Sequence, residues 1–153
     1  MRILLADNQP KVRHALRVLL EHQPGLEVVG EVADGADLVA QLKAARPDIV
    51  LLHWRLRGWS AIDPSASPGQ GLLRGLREGY PNLAVIVLSG HPEVAEAALA
   101  AGADAFVSKA DPPELLLEAI AGVKRARNAA VASGAALTAT LTDEKSYSNQ
   151  INK

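Results

Sequence analysis

The sequence predicts an α/β fold in which a parallel sheet is covered by helices on both faces. Two observations carry this prediction: short aliphatic runs alternate with segments of helical period, and the run Ile49–His53 is nearly unbroken, as in a strand buried on both faces. Strands joined by single helices form right-handed crossovers, so neighbouring strands are parallel. In open sheets of this kind, ligands bind beyond the carboxyl ends of the strands. The residue that ends the central strand is therefore placed to do chemistry, and here it is His53.

Length and composition are those of one globular domain. The 153 residues are 48% hydrophobic and 22% charged, and the formal net charge of -1 gives no overall attraction to nucleic acid or anionic lipid. The chain has no cysteine, which excludes disulfides and thiolate metal sites. No run reaches the roughly 18 apolar residues of a membrane span. We expect a cytoplasmic protein, with neither a membrane nor, for this chain alone, a nucleic acid as partner.

Five strands and five helices are predicted in alternation. The strands are 2–6, 26–32, 49–53, 83–89 and 105–109. The first helix begins at Pro10 after a cap at Asn8 or Gln9, and the second and fourth cover 36–45 and 92–101. The last begins in Asp111-Pro-Pro-Glu114, which has the form of a capping box with Pro112 at the first helical position, and it ends near residue 130.

Two segments lack a clear apolar period. The stretch 59–71 is rich in Ser, Pro and Gly and predicts a long loop, followed by a short third helix over about 72–78. The segment 131–153 is small and polar, so we expect a poorly ordered tail with no output domain after a domain of residues 1–130.

Polar residues end four of the predicted strands. Asp7 and Asn8 follow the first strand, His53 ends the third, Ser89 ends the fourth and Lys109 ends the fifth. Because the carboxyl ends of parallel strands share one edge of a sheet, we expect these side chains in one crevice.

Four segments resemble the response-regulator receiver domain. They are Leu4-Leu-Ala-Asp-Asn-Gln-Pro10, Asp48-Ile-Val-Leu-Leu-His-Trp54, Val87-Leu-Ser-Gly90 and Ala101-Gly-Ala-Asp-Ala-Phe-Val-Ser-Lys109. The resemblance covers about residues 1–128 and is greatest to receivers that precede a helix-turn-helix output domain in bacterial transcription regulators. It implies a flavodoxin-like sheet of order 2-1-3-4-5 and a role in two-component phosphorelay signalling.

The resemblance also implies residue roles. In receivers, two acidic residues after the first strand and an aspartate ending the third hold Mg²⁺, and that aspartate accepts a phosphoryl group from a partner kinase. The matching positions here are Asp7, Asn8 and His53, so the acceptor is replaced. Ser89 and Lys109 match the residues that contact the phosphoryl oxygens, and Phe106 matches the aromatic residue that couples the site to the far face.

The chemistry of these residues argues against magnesium. Mg²⁺ prefers oxygen ligands, usually carboxylates, whereas an imidazole suits zinc or copper. One carboxylate remains of three, so we predict that the Mg²⁺ site is lost and that no cofactor is bound. Lys109 then pairs with Asp7.

Other interpretations of the same residues remain open. His53 is explained more simply as a neutral, hydrogen-bonded residue at a strand end than as a catalytic or phosphorylated one, and Phe106 is equally well explained as a core aromatic. A zinc site from His53 and Asp7 with Asp63 or His91 lacks a recognisable ligand spacing.

A hydrolase-like triad of Ser89, His53 and Asp7 can also be named. It is rejected because Val87-Leu-Ser-Gly-His91 is not a Gly-x-Ser-x-Gly elbow, and we expect no enzyme activity.

We predict a degenerate receiver that acts by phosphorylation-independent protein–protein interaction. The alternatives are a phosphorelay receiver that uses another acceptor or docks a phosphorylated partner, and a small-ligand or metal-binding flavodoxin-like module. The expected partner is a signalling protein or another receiver. A weak homodimer is expected through opposite charges on the fourth helix, fifth strand and fifth helix: Glu93, Glu96, Asp104, Lys124, Arg125 and Arg127.

Overall fold

Five parallel strands form one sheet in the order β2-β1-β3-β4-β5. The computed structural model describes residues 1–57 and 68–151, with side chains as far as residue 132 except that of Pro68. The strands are β1 (Arg2–Ala6), β2 (Glu27–Val32), β3 (Ile49–His53), β4 (Ala84–Ser89) and β5 (Ala105–Ser108). The strand order implied by the resemblance is therefore confirmed.

Helices connect the strands in turn. They are α1 (Pro10–Glu21), α2 (Gly35–Ala45), α3 (Pro68–Gly79), α4 (Ala95–Ala100), which follows a 3₁₀ turn at Pro92–Val94, and α5 (Pro113–Ile151). Contacts within the chain define two units, Met1–Ile120 and Ala121–Lys153. The first unit contains the whole sheet, and the second consists of the later part of α5 in the described residues.

The aliphatic runs of β1, β3 and β4 form the centre of the sheet and are buried from end to end, apart from Arg2 and His53 at the two ends. Leu5 pairs opposite Leu51, His53 opposite Leu88, and Ser89 opposite Ser108. This parallel register brings the carboxyl ends of β1, β3, β4 and β5 to the same edge. Burial on both faces is the reason that these strands show no alternation of polar residues.

Local sequence signals set two helix starts. Pro10 occupies the first turn of α1 after Gln9, where its missing N–H costs no hydrogen bond, although the Gln9 side chain makes no capping bond. The carboxylate of Asp34 caps α2 by accepting the N–H of Asp37 at 2.9 Å. Arg46 then ends α2 in the left-handed region with φ of 46°, directly before Pro47.

The third helix begins earlier than the sequence predicts. It starts at Pro68, so the predicted loop does not extend to Gly71; residues 58–67, including Trp59 and Asp63, lie outside the described residues. Gly69 lets this first turn lie against Trp54, because a Cβ atom there would be 2.2 Å from the Trp54 carbonyl oxygen. Trp54 is a buried core residue, 5% exposed.

The last helix differs from the prediction at both ends. It begins at Pro113, one residue late, and the Asp111 carboxylate accepts the N–H of Ser108 at 3.0 Å. It continues to Ile151 instead of ending near residue 130. The sequence after residue 113 has no proline and is rich in alanine, the strongest helix former, which explains the longer helix.

None of the helices in the described residues combines the length and the apolar character that a bilayer span requires.

Candidate functional site

Asp7 lies at the base of the crevice formed by the carboxyl ends of the strands. It follows β1 directly and is only 2% exposed. Its Oδ1 accepts the backbone N–H of Gln9 at 2.8 Å, and its Oδ2 accepts a hydrogen bond from the Lys109 ammonium at 2.7 Å. Both carboxylate oxygens are thus used within the chain, as a buried charge requires.

The ammonium of Lys109 is shared among three acceptors. Lys109 follows β5, and its backbone N–H donates to the Ser89 carbonyl at 2.8 Å, which fixes where its side chain begins. Its Nζ lies 2.7 Å from Asp7 Oδ2, 3.0 Å from His53 Nδ1 and 3.3 Å from Gln9 Oε1. An ammonium has three donors, so these contacts use its whole hydrogen-bonding capacity.

His53 takes part in this cluster as a neutral imidazole. Its side chain is 14% exposed, and Nδ1 is 3.8 Å from Asp7 Oδ2. Burial lowers the pKa of His53 from its ordinary value of 6.5, the positive charge of Lys109 lowers it further, and the Asp7 carboxylate opposes both. Because an ammonium only donates, Nδ1 must accept, and the ring proton is on Nε2.

Ser89 lies at the end of β4 and is 1% exposed. Its Oγ accepts the backbone N–H of His91 at 3.1 Å, and within the part of the chain that the structure describes it makes no hydrogen bond to His53. The Ser89–His53–Asp7 triad, already rejected on sequence, is not formed there. Asn8 is exposed beside Asp7.

Phe106, the predicted coupling aromatic, lies on β5 opposite Val87. It is partly buried and packs against the hydrophobic core. This position is compatible with either interpretation made from the sequence, a coupling residue or a core aromatic.

Gln9 is a member of the cluster that the sequence does not predict. It is expected only as a helix cap, yet its side-chain oxygen accepts from Lys109 and its N–H donates to Asp7. Arg13 adds a hydrogen bond from its guanidinium to the main-chain carbonyl of Asp7. Only their position in the sequence could have indicated that Gln9 and Arg13 contact Asp7, since both lie within six residues of it, at the start of α1.

The donor set at this crevice does not fit magnesium. The sole carboxylate in the cluster, that of Asp7, is bonded to an ammonium, and the other matching side chains are an amide and an imidazole. Among residues 1–57 and 69–132, no three or more His, Cys, Asp or Glu side chains are grouped to hold a metal ion. The zinc set with His91 is thus not assembled, and Asp63 lies outside the described residues.

A doubly wound parallel sheet with an acid, a hydroxyl and a lysine at the carboxyl ends of its strands defines a receiver-type signalling domain. A sequence profile of the response regulator receiver domain matches residues 3–121. The chain belongs to this family.

Its relatives include response regulators of two-component signalling. It is 34% identical over 126 residues to the nitrate/nitrite response regulator protein NarP of Escherichia coli, covering 80% of this chain and 55% of that protein. A LuxR-family two-component response regulator from Aurantimonas is similar in structure with a TM-score of 0.69, at 31% identity and with 80% and 83% of the two chains covered. The chain spans about half the length of the curated relatives it matches.

A further structural neighbour corrects the partner prediction. The response regulator RcsB of Salmonella enterica, bound to the promoter rprA, matches with a TM-score of 0.72 at 26% identity, covering 82% of this chain and 62% of that one. From the sequence we expect protein partners and, for this chain alone, no nucleic acid; a relative that binds promoter DNA overturns that expectation. The prediction rests on the net charge of this chain, which does not report on DNA binding by the longer relatives.

Asp104 and Glu93, two of the six charges assigned to a homodimer face, make contacts within the chain, and the homodimer itself stays a prediction. The Asp104 carboxylate accepts from the Arg77 guanidinium at 2.6 Å and from the Val85 N–H at 2.8 Å. Glu93 lies 3.3 Å from the His91 ring. Asp104 therefore stabilises its own fold, because it ties α3 to the start of β4.

Proposed function

We propose that this chain is a receiver domain that transmits a signal without aspartyl phosphorylation, through contacts with other proteins in a two-component pathway. The family membership places it in such signalling. The observation that carries the finer proposal is the use of all three Lys109 donors by Asp7, His53 and Gln9. Lys109 matches the lysine that contacts a phosphoryl group in receivers, and here its three N–H donors are already bonded to groups of its own chain.

The replacement of the acceptor supports the same proposal. A phosphoryl group on an aspartate needs a carboxylate oxygen, and His53 offers an imidazole whose Nδ1 is occupied by Lys109. Magnesium would have to displace the Lys109 ammonium from Asp7 with little help from Asn8, which carries no charge. The contacts of Lys109 with Asp7, His53 and Gln9 thus satisfy its charge without a metal or a phosphoryl group, which supports the proposal.

The relatives suggest the wider setting of this receiver. The RcsB structure is of a regulator on promoter DNA, so we propose that this domain serves a DNA-binding regulator. Its signal would then be read by a DNA-binding segment or partner.

Phosphate incorporation tests the proposal. The wild-type chain is incubated with acetyl phosphate and Mg²⁺ and its intact mass is measured. We expect no phosphoryl adduct on the wild type and slow labelling of His53→Asp, which regains an acceptor but has only two carboxylates for the metal. The double variant Asn8→Asp, His53→Asp should label fastest because it restores the acidic set beside Ser89 and Lys109.

The matched control is His14→Asp, the same substitution at an exposed position of α1. It should label no more than the wild type. Labelling of the wild type at the rate of the double variant would refute phosphorylation-independent action and favour a non-standard acceptor.

A further inference from the structure

A cavity of about 390 Å³ lies between α1 and the start of α5, over the ends of β4 and β5. This volume is within the roughly 300–1,000 Å³ of small-molecule sites. Its walls are mostly aliphatic and come from four elements of the first unit: Val12, Leu16, Leu19, Leu88, Val107 and Leu116. The cavity is separate from the Asp7 carboxylate, although its rim includes Ser108 and Lys109.

The apolar stripe of α1 is incompletely covered by the rest of the protein. Val12, Leu16 and Leu19 recur at the helical spacing of a core-facing stripe, yet each remains partly exposed. In α1 only Leu20 is fully buried, whereas α2 buries both Leu38 and Leu42. The stripe therefore lines an open space, and an apolar ligand that entered it would remove this surface from water.

The charges at the mouth indicate the polar end of such a ligand. The cavity is bordered by two cations, Lys11 and Lys109, and by one anion, Asp111. Lys109 is occupied by the cluster around Asp7, and the Asp111 carboxylate accepts the N–H of Ser108. Lys11 is exposed and forms no ion pair within the described residues. It can therefore bind a negative charge at the entrance.

We infer that this cavity binds a small monoanionic amphiphile, such as a free medium-chain carboxylate, with the chain among the aliphatic side chains and the anion at Lys11. The rim residue Lys109 also holds His53 and Asp7, so the ligand lies beside the cluster that replaces the phosphorylation site. The inference does not depend on whether that cluster can be phosphorylated.

Calorimetry and thermal unfolding with matched eight-carbon probes test the inference on the full chain. Octanoate, octanol and octylammonium are compared below the concentrations at which they aggregate. We expect saturable binding of octanoate with a rise in melting temperature, weaker binding of octanol, and the weakest binding of octylammonium.

Two variants locate the site. Ala15→Phe places a ring at an exposed cavity position and should abolish binding of octanoate and octanol, while Val18→Phe, an exposed position of the same helix that does not line the cavity, should bind as the wild type does. Lys11→Gln should weaken octanoate binding by about threefold to fivefold, the size expected of a partly exposed ion pair, and leave octanol unchanged. Lys43→Gln on α2 is the charge control.

Several results would overturn the inference. They are no saturable octanoate binding, undiminished binding by Ala15→Phe, or tighter binding of octylammonium than of octanoate. Sedimentation supplies another: if the chain self-associates and Ala15→Phe alone among these variants breaks the association, a second copy occupies the cavity.

Discussion

The Lys109 ammonium lies 3.0 Å from Nδ1 of His53, so a lysine and a histidine share a hydrogen bond where two positive charges could otherwise repel. The contact is favourable only while the imidazole is neutral. Asp7, 2.7 Å from the same ammonium, balances the one positive charge that remains.

The first prediction concerns pH. The pKa of folded His53 is lowered chiefly by burial, so the unfolded chain binds more protons than the native one once pH falls below about 6.5. Stability should be fully present above that value and decline as pH falls toward the folded pKa. Urea unfolding between pH 8 and pH 5 should show a steeper loss for the wild type than for His53→Gln.

The control for the pH experiment is His14→Gln, which removes an exposed histidine of α1. It should keep the pH dependence of the wild type. If the free energy of unfolding of the wild type and of His53→Gln fell equally with pH, His53 would not be held as a neutral imidazole beside Lys109.

The second prediction concerns the Asp7–Lys109 pair. Lys109→Met leaves a carboxylate that is 2% exposed without its cation, which should lower the free energy of unfolding by about 3 kcal/mol. The double variant Asp7→Asn, Lys109→Met should recover part of this loss, since it leaves no unpaired charge. Urea denaturation of the wild type, both single variants and the double variant gives the coupling energy.

Glu27→Gln provides the contrast for that experiment. It breaks the exposed Arg2–Glu27 pair, whose charged atoms are 3.9 Å apart, and should cost less than about 1 kcal/mol. If Lys109→Met and Glu27→Gln lower the free energy of unfolding by the same amount, burial of Asp7 does not strengthen its pair with Lys109.

The third prediction concerns Gly69. An added Cβ would lie 2.2 Å from the Trp54 carbonyl oxygen and 2.7 Å from its ring, so Gly69→Ala must shift the first turn of α3. We expect a loss of about 1–3 kcal/mol, measured by thermal unfolding. Gly79→Ala at the other end of α3 meets no described atom within 4 Å and should be neutral or slightly stabilising.

The fourth prediction concerns the restored acidic site. The double variant Asn8→Asp, His53→Asp gathers three carboxylates beside one lysine, so like charges should make it less stable than the wild type without metal. Mg²⁺ should raise its melting temperature and leave that of the wild type unchanged. A double variant that neither gains stability from Mg²⁺ nor takes up phosphate would show that Asp7, Asn8 and His53 do not hold the positions inferred from the resemblance.

Much of the fold follows from local sequence. The strands β1, β3 and β4 are buried on both faces. Strands of this kind have continuous aliphatic runs without alternating polar residues, so such runs predict them from sequence. Because parallel strands end at one edge, the sequence also predicts that Asp7, His53, Ser89 and Lys109 share a crevice. The beginning of α3 is different, since it depends on how closely Gly69 approaches Trp54, a contact between distant parts of the chain.

The sequence by itself determined which chemical groups stand at the ends of the strands, among them the imidazole of His53 at the end of β3. Only the tertiary structure decided how these groups are paired. Lys109 reaches Gln9 and Asp7, about one hundred residues earlier, because strand register and side-chain rotamers set the last few ångströms. The same holds for Asp104, which looks like a free surface charge in the sequence and is bonded to Arg77 in the fold. Hydrogen bonds require distances near 3 Å, a precision that residue spacing alone cannot supply.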